Sequence, residues 1–243
     1  MRRPPVVLAY HGLATVARAD DPTGLMLPPE QFATHVRRLQ RRGYTFVKQR
    51  DFARRLHAGE PLDGLCSLTF DDGSVDNAEV LPALLEELQV PATIFVCPGL
   101  LGQPYPWLPG HVGMRLMDLD ELRAVAALPW IEIGSHTNEH ALLGDATFDV
   151  AYADMRSSRE RLEDLLGTEI LSFAYPKGNY SPACLPAAEQ AGYTSAVTTG
   201  RRGGWRPWDL RRESPDPLDG PVTFALKVTG VYRRSREHPV VKA

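Results

Sequence analysis

The sequence predicts an α/β fold in which a parallel sheet closes, or nearly closes, into a (β/α) barrel. Short apolar runs alternate with helical patterns along almost the whole chain, which is typical of a parallel sheet covered on both faces. About seven such units follow one another in 243 residues, a size that single barrel domains commonly have. Unusual polar residues directly follow three of the runs, as expected where barrel strands deliver functional side chains.

The strands are predicted from seven short apolar runs. They cover residues 5–10, 44–47, 65–70, 92–96, 130–134, 170–175 and 193–198.

Helices are predicted between these runs, where apolar residues recur at helical spacing. In the first helix Phe32, Val36 and Leu39 share one face, and in the longest Thr147 is a candidate N-cap and Gly167 a stop signal. The predicted helices are 29–42, 52–58, 77–88, 118–127, 148–166 and 182–190, with a last short element at 222–230.

Three segments, 13–28, 98–115 and 200–221, are predicted to be irregular because they are rich in glycine and proline. Loops as long as these are often functional in a compact domain. We see no internal repeat and no interdomain linker. The sequence therefore predicts one catalytic domain over 1–230, followed by a basic, flexible tail at 231–243.

Composition excludes some classes of function. A formal net charge of -3 gives no basic field that would attract nucleic acid. Cys66, Cys97 and Cys184 show no CxxC spacing and are interpreted as reduced core thiols, which favours a reducing compartment. The start of the chain lacks the apolar stretch of a signal peptide, and no segment approaches the roughly 18 apolar residues of a membrane span. We therefore expect a cytoplasmic protein without stable membrane insertion; its oligomeric state is left open.

Two histidines lie four residues apart in the SHTNEH segment that follows residues 130–134. His136 and His140 would share a face if this segment formed a helical turn, and two imidazoles placed in this way can bind one metal ion. An isolated HxxxH pattern also fits two surface histidines beside a turn.

A second observation is the adjacent pair Asp71 and Asp72, which follows residues 65–70 and precedes Gly73. Adjacent like charges repel each other, and a bound divalent cation would offset that repulsion. Two neutral histidines and one carboxylate make a site with open positions, where bound water becomes more acidic and a second carboxylate can accept its proton. A plain turn explains DDG alone. Together with HTxxH, the pair favours one aspartate as a metal ligand and the other as a base.

From about Val6 to Gly230 the chain resembles the polysaccharide deacetylases with a NodB-homology domain, a carbohydrate esterase family. The TFDDG segment matches the first motif of this family and HTNEH matches the second. LAYHGL and VPATIFV resemble the subgroup that carries an N-terminal Tyr-His motif. The resemblance implies a distorted, seven-stranded (β/α) barrel and a hydrolase that acts on amide bonds other than peptide bonds.

The resemblance also implies roles for residues. Asp71 would be the base, and Asp72, His136 and His140 would hold one divalent metal, with zinc as the first choice and cobalt, nickel or manganese as alternatives. Metal-bound water would attack the acetyl carbonyl of an N-acetylated sugar or glycan after Asp71 removes its proton. A backbone N–H near Tyr175 would stabilise the resulting oxyanion.

The third motif departs from the family pattern. It normally opens with an arginine that orients the base, whereas FAYPKGNY has Ala174 there. Tyr175, Pro176 and Gly178 fit the rest of this motif and are expected to contact substrate. Arg212, in WDLRRE, is our candidate to reach in and pair with the base; a solvated basic loop is the alternative.

The proton donor is less clearly indicated, because the last motif, FALKVTG, lacks the family's histidine. His11 is our candidate, either as the acid or as a substrate contact, with a structural histidine as the alternative. Asp71 could also return the proton that it took. Trp205 is expected to contact a sugar face from its Gly/Pro-rich loop, as aromatic loop residues often do, although local packing explains it equally well.

Two other functions remain open on the sequence alone. The same machinery could act on a non-sugar amide or imide, or on an O-acetyl ester. The chain could also be a catalytically inactive carbohydrate-binding homologue, although the ligand set and the base are all present. Metal content separates the second alternative from the enzymes, and a panel of substrates separates the enzymes from each other.

Overall fold

The computed structural model describes residues 3–107, 114–200 and 203–230. The predicted tail, 231–243, lies outside the described residues. Within them, the strands are β1 (Val6–Tyr10), β2 (Thr45–Phe46), β3 (Leu65–Phe70), β4 (Ala92–Val96), β5 (Ile131–Ser135), β6 (Ser172–Ala174), β7 (Ser195–Thr198), β8 (Trp205–Arg206) and β9 (Asp209–Arg211). The α-helices are α1 (Pro29–Arg41), α2 (Gln49–His57), α3 (Asp76–Glu79), α4 (Leu81–Leu88), α5 (Leu119–Ala126), α6 (Phe148–Leu166), α7 (Cys184–Gln190) and α8 (Pro221–Val228).

The strands form one curled sheet in the order β1-β3-β4-β5-β6-β7-β9-β8, and β2 pairs with β3 off this path. All neighbours from β1 to β9 in this order are parallel, and only β8 runs antiparallel to β9. Just after β9, the Glu213 N–H donates to the Val7 carbonyl at 2.9 Å, and the Ala9 N–H donates to the Glu213 carbonyl at 2.9 Å. The two edges of the sheet therefore meet, and the predicted distorted (β/α) barrel of seven parallel strands is confirmed.

The core has an inner and an outer part, and β1 shows how the strand period of two assigns residues to each. Val7 belongs to the inner cluster, together with Phe95, Ala174, Val197 and Leu210 from four other strands. The alternate β1 residues pack outward in the larger cluster beneath the helices. Strands buried on both faces have near-continuous apolar sequences, which is why these runs could be recognised.

The structure corrects two element assignments. Residues 77–88 form two helices, α3 and α4, and not one, because Pro82 has no N–H and its ring would clash with the carbonyl of Ala78 in a continuous helix. The seventh strand of the ring is β9, which lies in the segment predicted to be irregular. The predicted strand at 44–47 is only the two-residue β2, and it lies outside the ring.

The three cysteines are free and buried, as the sequence predicted. Across residues 3–107, 114–200 and 203–230, no helix is both long enough and apolar enough to span a bilayer.

Candidate metal centre and active site

The polar residues that follow three strands of the ring come together at its C-terminal end, where barrels carry their functional groups. Asp71 and Asp72 follow β3, His136 follows β5, and Arg212 follows β9. Asp71, Asp72 and His136 line a cavity of about 380 Å³. Its other described wall residues are His11, Thr23, Leu25, Trp107, His140, Lys177, Thr199 and Ser214.

The turn after β3 separates the two adjacent carboxylates. The Asp71 N–H still continues the sheet, donating to the Tyr10 carbonyl at 2.9 Å. Asp72 and Gly73 both have a φ of 73°, so the chain turns sharply here. This φ costs glycine nothing but strains an aspartate, and the turn gives the two side chains different partners.

Asp72 faces both histidines. Its Oδ1 atom lies 3.5 Å from His136 Nε2 and 3.6 Å from His140 Nε2. This oxygen is buried and has no hydrogen-bond partner in the described structure. A buried carboxylate oxygen without a donor is costly unless a cation binds it, so the three side chains fit a divalent metal ion.

Each imidazole turns its Nε2 atom toward Asp72. His136 Nδ1 lies 2.8 Å from the Ala174 carbonyl, and because a carbonyl can only accept, Nδ1 carries a proton and leaves Nε2 as the ring atom available to a cation. Burial, reinforced by nearby His136, lowers the pKa of His140 to about 3, which keeps this ring neutral. Both rings therefore present Nε2 to the position where a cation would bind.

His140 does not reach this position through a helical turn, contrary to expectation. Thr137 and His140 both have a positive φ, of 64° and 60°, and the chain loops back between them. The loop is held by the Thr137 hydroxyl, which accepts from the Ala141 N–H at 2.9 Å, and by the Gly99 N–H, which donates to the Asn138 carbonyl at 2.8 Å. Non-glycine residues in this conformation are strained and often mark functional sites.

Asp71 pairs with Arg212. The two terminal guanidinium nitrogens lie 2.6 Å from the two oxygens of Asp71, and the Arg212 side chain is fully buried. Arg212 also donates to the Thr69 hydroxyl at 3.0 Å and to the Thr198 carbonyl at 3.2 Å. Burial alone would raise the pKa of Asp71, but the guanidinium outweighs it and holds this pKa well below its usual range.

His11 is half-buried and lines the cavity together with Asp71 and the three candidate metal ligands. It follows β1, and its carbonyl accepts a hydrogen bond from Asn77 Nδ2 at 3.0 Å, which fixes the backbone at this position. Its side chain therefore borders the same space as the base candidate.

The predicted substrate contacts at Tyr175, Pro176 and Gly178 are not found among the described wall residues of the cavity. All three residues are buried. The N–H of Tyr175 itself donates to the Val197 carbonyl at 3.0 Å, so an oxyanion donor near Tyr175 would have to be another backbone N–H. The residue of this segment that reaches the cavity is Lys177, whose φ is 54°.

Trp205, the predicted aromatic contact, lies away from the cavity. Its ring stacks on Phe52, with the ring centroids 5.8 Å apart, and it lies beside Pro4 and Val6 at the opposite end of β1. Trp107, from the irregular segment 98–115, lines the cavity instead, and its ring centroid lies 4.3 Å from that of His140. Both tryptophans stand in Gly/Pro-rich sequence, so composition alone could not distinguish them.

Comparison with known proteins gives a family match. Residues 58–196, more than half of the chain, match the sequence model of the family described as polysaccharide deacetylase. A curated relative, the putative polysaccharide deacetylase YxkH of Bacillus subtilis (strain 168), is 27% identical over 194 residues. That match covers 79% of this chain and 63% of the relative, which is less than two thirds of the relative's length.

Solved structures show the same fold. The deacetylase PplD of Streptococcus pyogenes, in complex with acetate, superposes with a TM-score of 0.78 at 23% identity, covering 94% of this chain and 98% of that one. IcaB from Ammonifex degensii superposes with a TM-score of 0.76 at 20% identity, covering 95% and 97%. The matched region 58–196 includes both aspartates and both histidines of the site, whereas His11 and Arg212 lie outside it.

Proposed function

Because this chain belongs to the polysaccharide deacetylase family, we propose that it is a metal-dependent hydrolase that removes acetyl groups from an N-acetylated sugar or glycan. The observation that carries this proposal is that two adjacent carboxylates, Asp71 and Asp72, have different partners. Asp72 turns an unpartnered oxygen toward the Nε2 atoms of two histidines, while Asp71 is held by a buried arginine. One carboxylate is thus suited to bind a cation and the other to accept a proton.

Asp72, His136 and His140 would hold the cation, zinc first among the candidates. A divalent ion bound there would supply Lewis acidity, which polarises an acetyl carbonyl and acidifies water. Three protein ligands leave coordination positions open for these groups. The His136 tautomer, fixed by the Ala174 carbonyl, keeps its Nε2 lone pair aimed at this position.

Asp71 would act as the general base. Arg212 keeps its carboxylate ionised and fixes its orientation through two hydrogen bonds, so the group is unprotonated and correctly placed for this role at neutral pH. Asp71 Oδ2 lies 4.0 Å from His136 Nε2, so the base is next to the ligand set. Arg212 would thereby do the work of the arginine that the third motif lacks at Ala174.

His11 would be the second proton-handling or substrate-contacting group, since it borders the cavity beside the base. After attack, the leaving amine needs a proton, which His11 or the protonated Asp71 could give. Trp107 offers an aromatic face to the substrate from the same wall.

The experiment that tests this function is acetate release from a panel of compounds. We expect the zinc- or cobalt-loaded protein to release acetate from N-acetylated sugars or oligosaccharides, faster than from the matching O-acetylated sugar or from an N-acetylated non-sugar amine. Faster release from the ester or from the non-sugar amide would support the same metal-dependent mechanism but show that the substrate is not an N-acetylated sugar. A protein that binds metal but releases acetate from none of the three would contradict the proposed reaction.

A further inference from the structure

The segment between β4 and α5 is anchored to the turn that carries the two aspartates. Ser74 pairs with Leu116 in an isolated bridge, and Pro104 pairs with Arg115 in a second one. The Met117 N–H donates to the Gly73 carbonyl at 2.9 Å. The described arms of this segment, 103–107 and 114–117, therefore lie directly against the aspartate turn.

Tyr105, on the first arm, reaches the candidate metal ligand. Its hydroxyl donates to Asp72 Oδ2 at 2.7 Å, and the residue is 2% exposed. The other oxygen of the same carboxylate is the unpartnered Oδ1 that faces the two histidines. The two oxygens of Asp72 therefore have different environments. Oδ2 accepts a hydrogen bond from Tyr105, and Oδ1 is available to a cation.

The same arm also contacts a second candidate ligand. Trp107 packs edge-on against Tyr105, with ring centroids 5.1 Å apart, and lies over His140. The tyrosine ring is therefore fixed by packing, and its hydroxyl has little freedom to leave Asp72.

We propose that Tyr105 is a positioning residue that restricts Asp72 to binding the metal through one oxygen, an inference that rests on the proposed function. If both oxygens were free, the carboxylate could rotate and bind the ion through both of them. Such binding would fill a coordination position that substrate or water needs. The tyrosine hydrogen bond prevents this rotation and keeps Oδ1 pointing toward the Nε2 atoms of His136 and His140. Groups that orient metal ligands in this way typically contribute about 10- to 100-fold to metal affinity or activity.

The test compares Tyr105→Phe with Tyr180→Phe. The first change removes only the hydroxyl and keeps the ring that packs on Trp107. The second removes another tyrosine hydroxyl that donates to an aspartate, Asp209, away from the cavity. Two properties are measured for each full-length protein: the Co²⁺ dissociation constant, by competition with a chromophoric chelator, and the visible absorption spectrum at saturating Co²⁺, which reports coordination geometry in loaded molecules only.

We expect Tyr105→Phe to change the visible Co²⁺ spectrum, because Asp72 can then bind through both oxygens, and to change the Co²⁺ dissociation constant by about 10- to 100-fold, with both properties of Tyr180→Phe close to those of the wild type. Equal affinity and an unchanged spectrum in Tyr105→Phe would overturn the inference, and so would an equal change in Tyr180→Phe. The unfolding midpoints of the metal-free proteins show whether both variants remain folded. A wild-type protein that binds no divalent ion would instead overturn the proposed function itself, so the two failures are distinguishable.

Discussion

Replacing Asp71 with asparagine is expected to lower kcat for deacetylation by about 10²- to 10⁴-fold while the metal remains bound. Asparagine has nearly the same shape but cannot accept the proton. The metal ligands are not touched by this change, because Asp71 contacts Arg212 and the cation would contact Asp72. The measurement is the initial rate of acetate release at saturating metal and substrate, together with the metal content of each protein.

The neighbouring variant Asp72→Asn is the matched control, because the two residues are adjacent and carry the same charge. It is expected to lose both metal and activity, since the neutral amide removes the anionic ligand. Full activity in Asp71→Asn would contradict its role as base. Loss of metal in Asp71→Asn but not in Asp72→Asn would mean that the two roles are exchanged.

Replacing Arg212 with methionine is expected to reduce the free energy of unfolding by about 3–5 kcal/mol, the usual cost of removing one partner of a buried ion pair. Arg212 is fully buried, and Asp71 would keep its charge in the interior without the two 2.6 Å hydrogen bonds. Since the base would also lose its orientation, kcat should fall on the order of 10²-fold. Chemical denaturation gives the first quantity, and acetate release gives the second.

Arg211→Met is the control for this change. Arg211 precedes Arg212, but its guanidinium lies over the Trp205 ring, 4.9 Å from the centroid, at the other end of β1 from the cavity. We expect Arg211→Met to reduce the free energy of unfolding by about 1 kcal/mol or less and to leave kcat unchanged. Equal losses in both variants would mean that Arg212 acts only through general stability and not through the base.

The stability loss in Arg212→Met should depend on pH in a defined direction, measured on metal-free protein. Arg212 holds the pKa of Asp71 below its unfolded value of about 4. The stabilisation from this pair is therefore fully present above about pH 4 and is lost as the pH falls through the lower folded-state pKa. The difference in unfolding free energy between wild type and variant should be largest above pH 4 and should narrow below it. A difference that grows on acidification would contradict the pairing.

The parts of the fold that the sequence predicted are those with strong local patterns. The predicted bounds of β3, β4 and α6 match the structure to the residue, since two are short, mostly apolar runs and the third has a threonine cap and a glycine stop. The strand β9 was missed because only Leu210 within it is a buried apolar residue. Its place in the ring depends on pairing with β7 and on the closing bridge to β1, which no local pattern encodes.

The site shows the same difference between local and long-range information. The candidate ligands, which the structure brings together, could be named from the sequence because each of their two motifs is short and chemically distinctive. The contact between Arg212 and Asp71 joins residues 141 positions apart, and only the absence of an arginine at Ala174 suggested a search for it. Tyr105 carried no signal in its own sequence, because a tyrosine in a Gly/Pro-rich loop becomes informative only when the loop is known to lie on Asp72.

The central claim is that one divalent ion is held by Asp72, His136 and His140, and metal content per chain tests it most directly. Elemental analysis would be made on zinc-loaded, gel-filtered wild type, on His136→Ala and His140→Ala, and on His57→Ala as the control, since His57 lies on α2 and contacts the Thr194 carbonyl. We predict about one ion per chain in the wild type and in His57→Ala, and close to none in the other two. Full occupancy in His136→Ala and His140→Ala, or acetate release from a wild type that holds no ion, would contradict the account.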